Sequence, residues 1–138
     1  MARSAWHVMH ACDVSAVIVT RGDVDLDPIL DSLPFDDVVV WNNRLVADLG
    51  VYGRFAGVEQ ARNDVVFVQD DDCIVPTDAI TALLDAYAPG RIVSNMPTGH
   101  LDYTDSCLVG LGAVFDAYLP RIAFSAYLKH YPFDDEFT

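Results

Sequence analysis

Three consecutive carboxylates, Asp70-Asp71-Asp72, are the residues of this chain whose types and spacing most directly suggest chemistry. Side chains alternate along an extended chain, so Asp70 and Asp72 would face one side and Asp71 the other. Two carboxylates on one side can share Mn²⁺ or Mg²⁺, which prefer oxygen ligands that often include substrate phosphates. The spacing predicts Asp70 and Asp72 as metal ligands and leaves Asp71 to contact a ligand. The alternative is a solvated acidic turn.

The residues before this acidic triplet predict its place in the fold. Val65-Val66-Phe67-Val68 is an apolar, mainly β-branched run, typical of a strand buried on both faces inside a parallel sheet. In open α/β sheets the ligand crevice lies beyond the carboxyl ends of the strands. We therefore expect the triplet to border such a crevice.

The pattern of the remaining chain predicts one α/β domain with a mainly parallel sheet. Further strands are predicted at 16–20, 37–41, 91–95 and, with glycines inside it, 107–115. Helices are predicted at 26–33, 52–61, 77–87 and 119–130. Residues 1–14 are expected to be an N-terminal extension, and 15–138 a single domain.

Polar residues at other predicted strand and helix ends are further candidates. Asn42-Asn43 ends the second strand, where amides could bind a base edge or simply form a polar turn. Arg54 begins the next helix, where its guanidinium could face a diphosphate; the alternative is a solvated arginine. Near the end, Asp134-Asp135 follows Tyr131-Pro132-Phe133. Carboxylates beside aromatic rings tend towards raised pKa values, which suits a base, and the alternative is a frayed acidic tail.

The ordered set of these motifs resembles the nucleotide-sugar half of a GT-A fold glycosyltransferase. The similarity is closest to the exostosin-like family, across roughly residues 15–136. It is carried by Val38-Val39-Val40-Trp41-Asn42-Asn43, then Arg54, then the acidic triplet, then the Asp134-Asp135 pair.

This resemblance implies a three-layer sandwich that binds a nucleoside diphosphate sugar, with UDP-sugars favoured, together with Mn²⁺ or Mg²⁺. The implied donor contacts are Thr20, Arg21, Asn42, Asn43, Arg54, Asp70 and Asp71. The Asp pair of the family lies beside the reacting centre, so Asp134 and Asp135 are the implied catalytic carboxylates. An inverting enzyme would use one of them to deprotonate the acceptor hydroxyl. A retaining enzyme, as in the exostosin-like family, would use it to orient the sugar or to stabilise positive charge at C1. The resembling enzymes are longer, so we expect a truncated or minimal form whose acceptor region is short or missing.

Net charge limits the classes of partner that we expect, and cysteine content indicates the compartment. Eight basic and twenty-one acidic side chains give a net charge of −13, which repels nucleic-acid backbones and anionic membranes. Three cysteines without CxxC spacing are typical of a reduced, cytoplasmic protein. The sequence shows no apolar run of about 20 residues, so we expect no transmembrane segment.

The combined expectation is a metal-dependent glycosyltransferase, of the hexosyl or N-acetylhexosaminyl class, that transfers a sugar from a nucleoside diphosphate to a hydroxyl acceptor. One alternative is a nucleotidyltransferase of related sheet order, although Arg21-Gly22-Asp23-Val24 is a poor match to the usual glycine-rich phosphate loop. The other alternative is a non-catalytic module that binds a nucleotide sugar or a divalent cation.

Overall fold

The computed structural model describes residues 9–95 and 109–130, which form a five-stranded mixed sheet with helices on both faces. The strands are β1 (Val14–Thr20), β2 (Asp37–Asn42), β3 (Val65–Gln69), β4 (Val93–Ser94) and β5 (Ala113–Asp116). The helices are α1 (Asp27–Ser32), α2 (Gly53–Val58), α3 (Thr77–Ala86) and α4 (Tyr118–His130), with 3-10 turns at Ala11–Asp13 and Gly50–Tyr52. The order of strands and helices predicted from the sequence is confirmed.

The predicted strand at 107–115 is wrong for its middle part. Residues 109–112 form a turn, and β5 begins only at Ala113. Gly112 has φ +109°, a left-handed conformation that L side chains rarely adopt and that does not belong to a strand. The glycines therefore lead the chain into β5 instead of lying within it.

The strand order is β2-β1-β3-β5-β4, and it changes direction at β1. Strand β1 pairs in parallel with β2 on one side and with β3 on the other, while β5 runs antiparallel to both β3 and β4. The chain thus moves one way from β1 to β2 and returns past β1 to reach β3. The carboxyl ends of β1 and β3 lie at this topological switch point.

The core lies on both faces of the sheet. On one face, α3 and Phe35 cover the sheet, and the rings of Phe35 and Phe67 stack with centroids 5.1 Å apart. On the other face, α2 and the start of α4 pack through Val58 and Leu119. Every residue of β1 and β3 is buried, which confirms that β3 is a strand covered on both faces.

A polar cluster around Ser15, which is fully buried, lies at the amino end of the sheet. The Ser15 hydroxyl donates to Asp37 Oδ2 at 2.6 Å and accepts from the backbone N–H and side-chain amide of Asn63, each at 3.1 Å. The backbone N–H of Arg62 also donates to Asp37 Oδ2, at 2.9 Å. These hydrogen bonds, that from Ser15 above all, lower the pKa of Asp37 below its ordinary value of 3.8.

The first described residues contact the domain. Met9 and Ala11 pack against the core cluster on the α3 face, ahead of the buried start of β1. Within residues 9–95 and 109–130, no helix has the length and apolar character needed to cross a membrane.

Candidate functional site

The acidic triplet follows the last residue of β3, and its first two side chains lie on opposite faces of the sheet. Asp70 contacts Arg54 of α2, whereas Asp71 contacts Thr20 at the end of β1. Asp72 is exposed in the turn that follows. Asp70 and Asp71 point to opposite sides, as predicted. Asp71 and Asp72 belong to a turn, however, so the strand alternation that predicted Asp72 on the side of Asp70 does not extend to it.

Arg54 and Asp70 form an ion pair at the edge of the sheet. Arg54 Nη2 lies 2.6 Å from Asp70 Oδ1. The arginine side chain is only 8% exposed, whereas that of the aspartate is 32% exposed. The guanidinium is therefore buried, and its carboxylate partner lies between it and the solvent. A guanidinium at this edge can also pair with an anionic ligand.

Burial and neighbouring charges both act on the ionisation of Asp70. Burial raises the pKa of Asp70 above its ordinary value of 3.8; the Arg54 charge opposes this rise, and the charges of Asp72 and Asp71 add to it. Burial, reinforced by the charges of all three aspartates, likewise raises the pKa of the Cys73 thiol. A divalent cation would relieve the repulsion among the three carboxylates.

Thr20 connects β1 to the acidic turn. Its side chain is buried, and its hydroxyl donates to Asp71 Oδ2 at 2.8 Å and accepts from the backbone N–H of Gly22 at 3.0 Å. These two bonds hold the loop after β1 and the triplet together at the switch point. Arg21, within that loop, is exposed to solvent.

The two asparagines after β2 differ in their surroundings. Asn42 pairs with Thr20 in the sheet register, and its side-chain oxygen accepts from the backbone N–H of Arg44 at 2.9 Å. Asn43 is buried and fixes the loop of residues 44–50. Its Oδ1 accepts from Trp41 Nε1 at 3.0 Å and from the Leu49 N–H at 3.2 Å, and its Nδ2 donates to the Gly50 carbonyl at 3.0 Å. The Asn43 amide therefore makes its hydrogen bonds within the protein, to Trp41, Leu49 and Gly50.

Two residues that were not candidates in the sequence also hold the triplet. The Gln69 amide donates to the carbonyls of Asp70 and Cys73, and Gly110 accepts from the Asp70 N–H at 2.9 Å and from the Cys73 thiol at 3.6 Å. Gln69 could have been noticed as the one polar residue on the buried face that it shares with Val65 and Phe67. The contact of Gly110 with the triplet could not be predicted, because it spans about 40 positions of the chain.

The described side chains do not enclose a metal ion by themselves. Within residues 9–95 and 109–130, no group of three or more His, Cys, Asp or Glu side chains could enclose a metal ion. Mg²⁺-type sites commonly take only one or two carboxylates and complete their coordination with phosphate oxygens and water. Asp70 and Asp72 would be the two protein ligands of such a site.

The predicted catalytic pair, Asp134 and Asp135, lies outside the described residues. The described part of the chain brings together Thr20, Asn42, Arg54 and the triplet at one edge of the sheet.

Comparisons with known proteins add no relative. No protein-family model matches this chain, and no match was found among curated proteins or among solved structures.

Proposed function

We propose that this chain is a cation-dependent glycosyltransferase domain of the GT-A class. It transfers a sugar, a hexose or an N-acetylhexosamine, from a nucleoside diphosphate donor to a hydroxyl acceptor. UDP-sugars are the favoured donors. Asp134 and Asp135 are the proposed catalytic carboxylates.

The observation that carries the proposal is the meeting of charged and polar side chains at the switch point of the sheet. Open α/β sheets bind ligands in the crevice outside the carboxyl ends of their strands, where the strand order reverses. At that position Thr20 contacts Asp71 and Arg54 contacts Asp70. A buried arginine beside a carboxylate cluster offers the two kinds of group that a cation-bound diphosphate needs.

In this proposal each residue has a separate role. Arg54 binds a phosphate oxygen of the donor, and Asp71, held by Thr20, faces the ribose or the sugar. A cation bound by Asp70 and Asp72 supplies positive charge for the departing diphosphate. Asn42 and Arg21 lie in the loops beside Thr20 and contact the nucleoside, while Asn43 shapes the loop that follows β2.

Thermal denaturation with UDP, GDP and dTDP, each with and without Mn²⁺, tests donor binding. Because the net charge of −13 attracts cations without specificity, ionic strength is held constant. A nucleotide at about ten times its Kd should raise the Tm by roughly 5 °C, and only with Mn²⁺ present. Hydrolysis of, or transfer from, a matching donor sugar then distinguishes an enzyme from a binding module.

Asp72→Asn should abolish the Mn²⁺-dependent rise because it removes one of the two proposed cation ligands. The matched control is Asp85→Asn, which makes the same charge change on the exposed side of α3 and should keep the full rise. The absence of any nucleotide-dependent shift in the wild-type protein would end the proposal. An equal rise in Asp72→Asn would remove this residue from the site.

A further inference from the structure

Gln69 is a polar side chain in an otherwise apolar strand interior. It is the last residue of β3, and only 1% of its surface is exposed. It lies on the α3 face, in register with Ile18 of β1. Nothing in the proposed chemistry uses it directly, so its presence needs a separate explanation.

The Gln69 amide nitrogen faces three acceptors of the acidic turn. Nε2 lies 3.1 Å from the Asp70 carbonyl, 2.8 Å from the Cys73 carbonyl and 3.8 Å from Cys73 Sγ. This surrounding assigns the NH₂ end of the amide to the turn. One side chain thereby bridges the first and last residues of the four-residue segment 70–73, beyond the end of the strand ladder.

The other end of the same amide has no comparable use. Gln69 Oε1 is buried and has no hydrogen-bond partner among the residues that the structure describes. A buried acceptor without a partner is unfavourable, and an apolar side chain of similar length would avoid this cost. The position therefore favours an apolar residue for stability and a donor for holding the turn.

Gly110 holds the same turn from outside. Its carbonyl accepts from the Asp70 N–H and the Cys73 thiol, and a Cβ at this position would collide with Asp70 Oδ2. The turn is thus fixed on one side by a side chain and on the other by a close backbone. Neither contact uses the carboxylate oxygens themselves, so those oxygens keep their directions towards Arg54 and Thr20.

We propose that Gln69 is a positioning residue, which clasps residues 70–73 so that the three carboxylates are presented in a fixed arrangement to a cation and a diphosphate. The ligand consequence rests on the proposed function, whereas the clasp itself does not. Groups that orient metal ligands commonly change affinity by about ten- to a hundred-fold when they are removed.

The test compares Gln69→Met with Gln60→Met, a control at an exposed glutamine after α2. Both are made in a Cys12→Ser, Cys107→Ser background, which leaves Cys73 as the single thiol. Gln69→Met should keep its urea midpoint near that of the parent, because an unpartnered acceptor is removed along with the two hydrogen bonds. Its Cys73 should react several-fold faster with iodoacetamide, and its affinity for UDP with Mn²⁺ should fall about ten-fold or more.

The possible outcomes separate this proposal from the proposed function. If the parent protein does not bind any nucleotide, the proposed function fails, but faster alkylation of Cys73 in Gln69→Met still supports the clasp. Equal alkylation rates overturn it, and so does a fall in the urea midpoint in proportion to any loss of binding, because that indicates a purely structural role. The wild-type protein gives a further measurement by NMR, which does not depend on the variant folding. The Gln69 side-chain NH₂ should exchange with D₂O more slowly than that of Gln60, and equal exchange would overturn the clasp.

Discussion

At the scale of single residues, two opposing effects act on the ionised form of Asp70: burial destabilises it, and the charge of Arg54 stabilises it. Arg54 is more deeply buried than its partner, so the ion pair is desolvated mainly on the arginine side. A buried charge without its partner is strongly unfavourable, whereas an exposed pair contributes little. Arg54 therefore serves folding in the absence of ligand and is proposed to serve donor binding in its presence.

Replacing Arg54 with methionine tests both roles. Arg54→Met keeps most of the side-chain volume but leaves the Asp70 carboxylate beside the other two aspartates without the guanidinium. We expect the free energy of unfolding to fall by about 1 to 3 kcal/mol, less than for a fully buried pair, and the nucleotide-dependent Tm rise to disappear. Urea denaturation and thermal denaturation measure the two effects.

Arg121→Met is the control because Arg121 pairs with Glu59 at the surface, where both side chains are largely exposed. This variant should have the urea midpoint of the wild-type protein. An Arg54→Met protein as stable as the Arg121 variant would contradict the assigned structural role of the Arg54–Asp70 pair.

At the scale of elements, the loop between β2 and α2 depends on Asn43. Its amide makes three hydrogen bonds that close residues 44–50 into one folded loop. Gly53 begins α2 against this amide, and a Cβ there would lie 2.9 Å from Asn43 Oδ1. The same loop leads directly to Arg54, so its shape determines where α2 begins.

Asn43→Ala should therefore loosen this loop more than Asn42→Ala does. The first change removes three hydrogen bonds from a buried side chain, and the second removes the single bond that Asn42 Oδ1 accepts from Arg44. We expect Asn43→Ala to cost about 1 to 3 kcal/mol of unfolding free energy. Hydrogen exchange should show faster exchange at the Leu49 N–H. Equal exchange of this amide in the two variants would show that Asn43 does not organise the loop.

At the scale of the whole molecule, the two ends of the sheet are built differently. The amino end carries the polar cluster of Ser15, Asp37 and Asn63, in which the Asp37 carboxylate is stabilised in its ionised form. The carboxyl end carries the triplet, where the ionised form of Asp70 is disfavoured. One end thus stabilises the ionised carboxylate that it holds, whereas at the other end burial and neighbouring carboxylates oppose the ionisation of Asp70.

Acid should reduce the stability that the polar cluster of Ser15, Asp37 and Asn63 contributes. The pKa of Asp37 is lower in the folded chain than its ordinary value of 3.8, so its contribution is present above that value and is lost as the pH falls through the folded pKa. The raised pKa of Asp70 acts in the opposite direction, since its contribution falls as the pH rises through that pKa. Asp37→Asn should lower the unfolding free energy by about 1 kcal/mol at neutral pH and should reduce the loss of stability that occurs as the pH falls below 3.8.

Urea denaturation as a function of pH measures both effects. Asp36→Asn is the control. The Asp36 side chain is next to Asp37 in the sequence but is exposed, so this variant should keep the wild-type pH dependence. The same acid-induced loss in Asp37→Asn and in the wild-type protein would assign that loss to other carboxylates.

Local pattern was enough to predict the elements and the edge of the sheet that carries the charges. Continuous apolar runs identified β1 and β3 because a strand buried on both faces needs apolar side chains at every position. The triplet after β3 and the alternation of Asp70 and Asp71 followed from the period of a strand. The predicted strand through Gly110 and Gly112 failed because apolar neighbours mask a turn whose positive φ is visible only in three dimensions.

The tertiary structure alone decided which side chains meet. The antiparallel insertion of β5 beside β3 brings Gly110 against Asp70, and the return of the chain past β1 brings Thr20 to Asp71. These contacts join positions about 40 and about 50 residues apart, for which local periodicity carries no information. The sequence by itself therefore determined where carboxylates end a buried strand. Only the packing of distant segments decided that Thr20, Arg54 and Gly110 hold them, because a contact between remote residues depends on strand order.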